Sequence, residues 1–329
     1  MPERASVFQS VQFGVEATPG TAVAANRKFA SVSITPGIEV DIKKYKKMGS
    51  KWNRLSIIGK EWVTAEISGP LTYTEWPYLA ANCLAYAAPV QQGATAAYKW
   101  TNNPADDQAD VTKTFTIEQG GTVRAHKFPY AQLDSLGYSI NRTSGEATIK
   151  GSLIGQQLVD GITMTASPTE LALEPVLPDD ICIYADDTAA ALGTTKLTRA
   201  LKADWMIDNR YGPIFPIDCA LTSFAATVEQ EDMEAKFDLL MAADTQGMGL
   251  LTTMRAGSKK FIRVIGTGSL IATPYTYVWQ HDMCLTVSGV KKFEDDEGIY
   301  AIGWEFTVTY DATWGKAMQF DTTNAITTL

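Results

Sequence analysis

Four consecutive residues, His281-Asp282-Met283-Cys284, bring an imidazole, a carboxylate and a thiol together, the groups that an activated cysteine nucleophile would use. The flanking residues read as strand, and on a strand His281 faces away from both Asp282 and Cys284. No nucleophile is assigned there. A metal centre or a catalytic triad ordinarily draws on histidines held by their neighbours, and the chain has only His126 and His281. Cys83, Cys182, Cys219 and Cys284 lie tens of residues apart without a Cys-x-x-Cys pair, and read as reduced thiols rather than a disulfide framework. Gly266-Thr267-Gly268 follows a strand but lacks the third glycine and the helix of a dinucleotide loop. The acidic run Glu294-Asp295-Asp296-Glu297-Gly298 lacks the alternate-position ligands of a calcium loop and lies between two strand-like runs, so it reads as a solvated hairpin tip. The residues thus assign no catalytic, cofactor-binding or metal-binding position, and the chain reads as something other than an enzyme.

The elements around these groups belong to an ordinary globular chain. It has 329 residues, 45% hydrophobic and 20% charged, enough for one large domain or two middling ones. The longest apolar run, residues 79–90, is too short to span a bilayer, and Met1-Pro2-Glu3-Arg4 lacks the apolar segment of a secretion signal. Membrane insertion is not expected. The net charge of −9 argues against a protein that grips nucleic acid. The charge is also uneven: residues 1–165 carry 16 basic and 14 acidic groups, residues 166–329 carry 12 and 23.

Most of the sequence reads as strand. Residues 114–118, 138–142, 146–150, 260–264, 285–287 and 299–310 are rich in alternating, β-branched or aromatic residues, and Ser144-Gly145 marks a hairpin. Two helices are predicted against this background. Trp76, Leu79, Ala80, Cys83, Leu84 and Ala87 form one apolar stripe, with Thr74 as its cap and Pro77 in its first turn. Met233, Phe237, Leu240 and Met241 form a second, preceded by acids and followed by Gly247. Pairing Trp76 with Met233, Phe115 with Phe261 and Gly145 with Gly298 gives similar separations, a pattern of strand, helix and hairpin that reads as a duplication. The expected division is 1–165 and 166–329, with the junction near residues 168–178 and a strand at Ile181-Cys182-Ile183-Tyr184.

Gln12-Phe13-Gly14-Val15-Glu16-Ala17-Thr18-Pro19-Gly20-Thr21-Ala22-Val23 resembles the N-terminal signature of the major tail (tail tube) proteins of long-tailed, non-contractile bacteriophages. The basic stretch Lys43-Lys44-Tyr45-Lys46-Lys47-Met48-Gly49 and the helix entry Ile67-Ser68-Gly69-Pro70-Leu71-Thr72-Tyr73-Thr74-Glu75 are similar to that family in the same order. So are Asp295-Asp296-Glu297-Gly298-Ile299-Tyr300 and, near the end, Tyr310-Asp311-Ala312-Thr313-Trp314-Gly315-Lys316-Ala317.

The resemblance implies a mainly β fold, a β-sandwich or half-barrel with a flanking helix, whose copies form rings stacked into the tail tube of a virion. It implies assembly in the host cytoplasm around a tape measure protein, junctions with tail terminator and distal tail proteins, and passage of double-stranded DNA without specific binding. Two other readings stay open: another phage ring or adaptor protein, such as a terminator or capsid decoration protein, and a carbohydrate-active β-sandwich. The last would need two carboxylates roughly 5–10 Å apart across a cleft, and the sequence marks out no such pair.

Within the tube reading, particular surfaces have expected roles. The basic loop 43–60, with Lys43, Lys44, Lys46, Lys47, Lys51, Trp52 and Arg54, is expected to reach the acidic surface of a neighbouring ring. Alternation in the last long strand puts Trp304, Phe306 and Val308 into the protein, and Glu305, Thr307 and Thr309 toward the lumen or a neighbour. The N-terminal arm 1–30, poor in large apolar groups, is expected to order only on a neighbouring subunit. Two domains per chain favour three chains in a pseudo-hexameric ring; one domain would need six.

Overall fold

A computed structural model describes residues 8–329. The chain is mainly β, with 55% of its residues in strands and 8% helical, and its sheets are not closed into a barrel. The first half contains β1 (Ser10–Val15), β2 (Arg27–Lys28), β3 (Ser33–Lys46), β4 (Asn53–Pro70), α1 (Trp76–Cys83), β5 (Val90–Gln91), β6 (Tyr98–Asn102), β7 (Phe115–Gly120), β8 (Ala125–Asn141), β9 (Glu146–Gly155), β10 (Val159–Ile162) and β11 (Thr169–Glu170). The second contains β12 (Ile181–Asp186), β13 (Lys196–Leu197), β14 (Ala200–Asp208), β15 (Tyr211–Ile214), β16 (Ala226–Glu229), β17 (Glu234–Ala242), α2 (Thr245–Ala256), β18 (Lys259–Ala272), β19 (Tyr275–Asp296), β20 (Ile299–Val308) and β21 (Met318–Asn324).

Strand pairing follows the same plan twice. In the first half β1 pairs with β2 and β7, β7 with β8, β8 with β9, β9 with β4, and β4 with β3. In the second, β12 pairs with β13 and β18, β18 with β19, β19 with β20, β20 with β17, and β17 with β14. The strand after each hairpin also returns to the same place, β10 onto β8 and β21 onto β19. A helix lies between β4 and β7 and between β17 and β18. Even the register agrees. The row Pro36–Ala65–Leu153–Leu133 crosses β3, β4, β9 and β8; the row Trp205–Phe237–Phe306–Val287 crosses β14, β17, β20 and β19. Leu153 and Phe306 stand equally far from the hairpin glycines Gly145 and Gly298.

This alignment corrects the helix counterpart. Met233, Phe237, Leu240 and Met241 do not form a helix: Glu234–Ala242 is strand β17, hydrogen-bonded between β14 and β20, with Phe237, Leu239 and Met241 buried in alternation. A short apolar run satisfies both periods, and two strands offering ladder partners decide the outcome. The helix follows instead. Asp244 caps α2 by accepting from the N–H groups of Gln246 and Gly247 at 2.9 and 3.0 Å, and Gly257 ends it at φ +61°. The first helix is shorter than expected, ending at Cys83, and Thr74 does not cap it. The Thr74 hydroxyl donates to the Ala172 carbonyl at 2.6 Å, and all eight helical residues are buried.

The N-terminal segment is also corrected where it is described. β1 is an integral strand between β2 and β7, and Phe13 is fully buried, stacked on Phe29 at 4.3 Å and against Phe115 and Tyr78. Residues 1–7 of the expected arm lie outside the described residues. One hydrophobic core runs through both halves. They are joined by antiparallel pairing of β8 with β14 and of β6 with β21, and by the buried ion pair of Arg210 with Asp110.

Candidate functional site

The motifs that carry the family resemblance are built as clamps. Glu16 is buried, and its carboxylate accepts from the Gly20 N–H at 2.7 Å, the Thr114 and Thr116 hydroxyls at 2.7 and 2.8 Å, and the Tyr130 N–H at 2.9 Å. Gly14 is required because a Cβ there would stand 2.4 Å from the Ala24 carbonyl oxygen. Glu75 is buried at the entry to α1 and accepts from the N–H groups of Ala30 and Ser31 at 2.8 and 3.0 Å and from the Thr72 hydroxyl at 3.1 Å. Near the end, Asp311 closes a tight turn by accepting from the Trp314 N–H at 2.8 Å and the Lys259 ammonium at 3.1 Å. Each of these three carboxylates, satisfied by hydrogen bonds from backbone or neighbouring side chains, holds its segment of backbone in place.

The tetrad around His281 is structural too. His281 is wholly buried, its Nδ1 is 3.0 Å from the Tyr138 hydroxyl, and its ring stacks on Phe320 at 3.7 Å. Burial holds its pKa well below the usual 6.5. Asp282 points the other way and receives a bidentate pair from Arg263 at 2.6 and 2.8 Å. Cys284 is buried, and desolvation pushes its thiol up to about 11, the opposite of activation. Among the described residues no group of three or more His, Cys, Asp or Glu is placed to hold a metal ion, and no helix is long and apolar enough to cross a membrane. The acidic run 294–298 turns at Glu297-Gly298, with φ of +51° and +85°, and Asp295 accepts from the Gly298 N–H at 3.0 Å. Two successive positive φ values make the two-residue hairpin turn that matches strand twist.

Two surfaces are left without a packing partner among the described residues. The first is the far end of the β3/β4 hairpin. Residues 43–60 are a paired hairpin rather than a loop: Lys43, Lys44 and Lys46 lie on β3, Lys47, Lys51 and Trp52 in the turn region, and Arg54 on β4. Lys43 pairs with Asp41 at 2.9 Å, and this carboxylate raises its pKa. Register places Tyr45 opposite Leu55 and Lys43 opposite Ile57 on one face, and Ile42 opposite Ile58 on the other. The five apart from Lys43 are about half exposed, and Trp52 is 78% exposed. The hairpin is anchored at its base, where Lys60 lies over the Phe215 ring at 4.4 Å and Trp62 meets the same ring at 5.5 Å.

The second surface is the outer face of the β14–β17–β20 sheet. Trp304 and Phe306 are fully buried, so Glu305 and Thr307 face the other way, as alternation requires. Glu305 is not isolated there. It stands beside Asp238, which stands beside Asp204, in one cross-strand row. Lys291 bridges Asp238 at 2.6 Å and Glu305 at 3.6 Å, and Lys202 pairs with Asp204 at 2.8 Å. Thr309 lies just past β20, its hydroxyl 2.9 Å from that of Thr286. Alternation in the sequence marks Glu305 but not Asp204 or Asp238, because the β17 segment also fits a helical stripe and its register partners emerge only once β14, β17 and β20 are paired.

Comparison of the sequence with models of known families finds no match, and comparison with curated proteins finds none either.

Proposed function

We propose that this chain is a structural subunit of a phage tail tube, polymerising as stacked rings that enclose a tape measure protein and later conduct double-stranded DNA. The observation that carries the reading is the β3/β4 hairpin, which holds Tyr45, Trp52, Leu55, Ile57 and Ile58 in water among lysines. A soluble monomer has no use for an apolar and basic arm with both faces bare; a polymer subunit does. The strongly acidic second half supplies a surface of opposite charge on the next ring. The row Asp204–Asp238–Glu305 is the candidate lumenal wall. Its three carboxylates outnumber the two lysines paired with them, Lys202 and Lys291, so among the described residues the row has no unpaired cation to hold a phosphate and stall DNA. Terminator and distal tail proteins would close the two ends of such a tube.

Electron microscopy of the concentrated, purified chain tests this reading. Long tubes of uniform diameter are expected. Single rings that never stack would replace the reading with a terminator-like role, and a chain that stays monomeric at every concentration would overturn it.

A further inference from the structure

Inside the chain, the two topological units meet by strand addition. β14, the first strand of the second unit's hairpin, lies along the end of β8 in the first unit, with Ile207 opposite Leu136, Trp205 opposite Tyr138 and Asp204 opposite Ser139. The equivalent edges at the two outer ends of the molecule have no further strand partner among the described residues, and on β3 the Ile34 carbonyl accepts from the Gln119 side-chain amide at 2.6 Å. β3, the counterpart of β14, pairs with β4 alone among the described residues. β19, the counterpart of β8, is flanked at Thr286 by Lys259 of β18 on one side and Thr307 of β20 on the other. Beyond Thr286 only β20 continues among the described residues, so the β18 side of residues 287–296 is an open strand edge there. Bare edges of this length are templates for another strand.

We infer that β3 of a second copy of this chain pairs antiparallel with the open edge of β19, repeating between chains the β14–β8 joint seen within one. The inference rests on the tube reading for the assembly in which it occurs. The duplicated register fixes the partners: Thr35 opposite Glu294, Pro36 opposite Phe293, and Ile38 opposite Val290. Side-chain chemistry agrees with that register. Ile38 is 54% exposed, Val290 43% and Phe293 47%, and the joint would cover all three on the core-facing side of both strands. The two edges differ from each other, so the contact is head-to-tail and closes into a ring when the rotation permits.

Cysteine pairing in the assembled full-length chain tests it. Facing residues of an antiparallel pair lie within disulfide reach. In a background carrying Cys182→Ser and Cys219→Ser, the double variant Thr35→Cys, Glu294→Cys should oxidise to a ladder of dimers and higher species. An equimolar mixture of the two single variants should stop at dimers. The pair Ser33→Cys, Asp296→Cys, at the next position on the same face, supplies a second, independent reading. Tubes that form normally while neither pair cross-links would overturn the edge joint and leave the tube reading standing. A chain that forms no assembly would overturn both.

Discussion

Trp205 and Tyr138 sit opposite each other on β14 and β8, their rings stacked at 5.7 Å between centroids and 25° between planes. They join two units that repeat one strand plan, and the edge of Trp279 closes on Tyr138 at 4.9 Å. The close approach has a backbone cause. A Cβ on Gly137 would lie 2.5 Å from the Trp205 carbonyl oxygen, so glycine lets the two strands meet.

Truncating this joint should unfold the chain as a whole, because one core serves both units. Trp205→Ala is expected to cost about 3–5 kcal/mol, as large aromatic truncations in cores do. Gly137→Ala forces the strands apart at a cost of about 1–3 kcal/mol. Urea denaturation followed by circular dichroism measures both. Two separate transitions, with only one moved by Trp205→Ala, would show that the units fold independently.

Stability should fall as the pH drops below 6.5. Burial lowers the pKa of His281 well below that value and, less strongly, that of half-buried His126, so the unfolded chain binds protons that the folded chain does not. Stability from a depressed pKa is present above the unfolded value and lost as pH falls toward the folded one. Each histidine contributes a slope of up to about 1.4 kcal/mol per pH unit. Between pH 5 and 6.5, before most carboxylates titrate, His281→Phe should flatten the dependence; an unchanged slope would refute the assignment.

Much of this fold was legible in the sequence. The hairpins at Gly145 and Gly298 are marked by turn chemistry, and strands such as Phe115–Gly120 and Ile299–Val308 by alternation and β-branching. What failed were decisions that only neighbours make. Met233 to Met241 fits a helical stripe as well as a strand, and β14 and β20 settle it. Residues 10–29 look too poor in bulk to fold, yet Phe13 and Phe29 find each other across a loop that Glu16 pins. The candidate surfaces divide in the same way. The lysines of the arm are visible as composition, whereas the acidic row through Glu305 exists only after three strands are placed in register.

An assembled tube should show threefold rather than sixfold rotational symmetry. Each chain carries the strand plan twice, so three chains supply six such units per ring. Image averaging of end-on rings decides the point, and true sixfold symmetry would contradict it.

Reversing the arm's charge should block stacking without unfolding the subunit. Lys44, Lys46 and Lys47 are exposed, and among the described residues Lys43 pairs with Asp41 at its own edge. Changing all four to Glu removes attraction to an acidic neighbour and leaves the core untouched, a surface change that costs little. Circular dichroism should be unaltered while tubes shorten or vanish. Tubes of ordinary length from this variant would exclude the arm from ring-to-ring contact.

The row Asp204–Asp238–Glu305 should line the tube interior. Glu305 is about half exposed in the single chain, so Glu305→Cys should react readily with a bulky thiol reagent in unassembled protein. In intact tubes a lumenal thiol is reached only through the open ends, so labelling should become slow and confined there. Cys219 is exposed and would obscure the signal, which the background change Cys219→Ser removes. Rapid labelling along the whole length would place Glu305 on the outside, and the acidic row would then be a surface for other partners rather than for passing DNA.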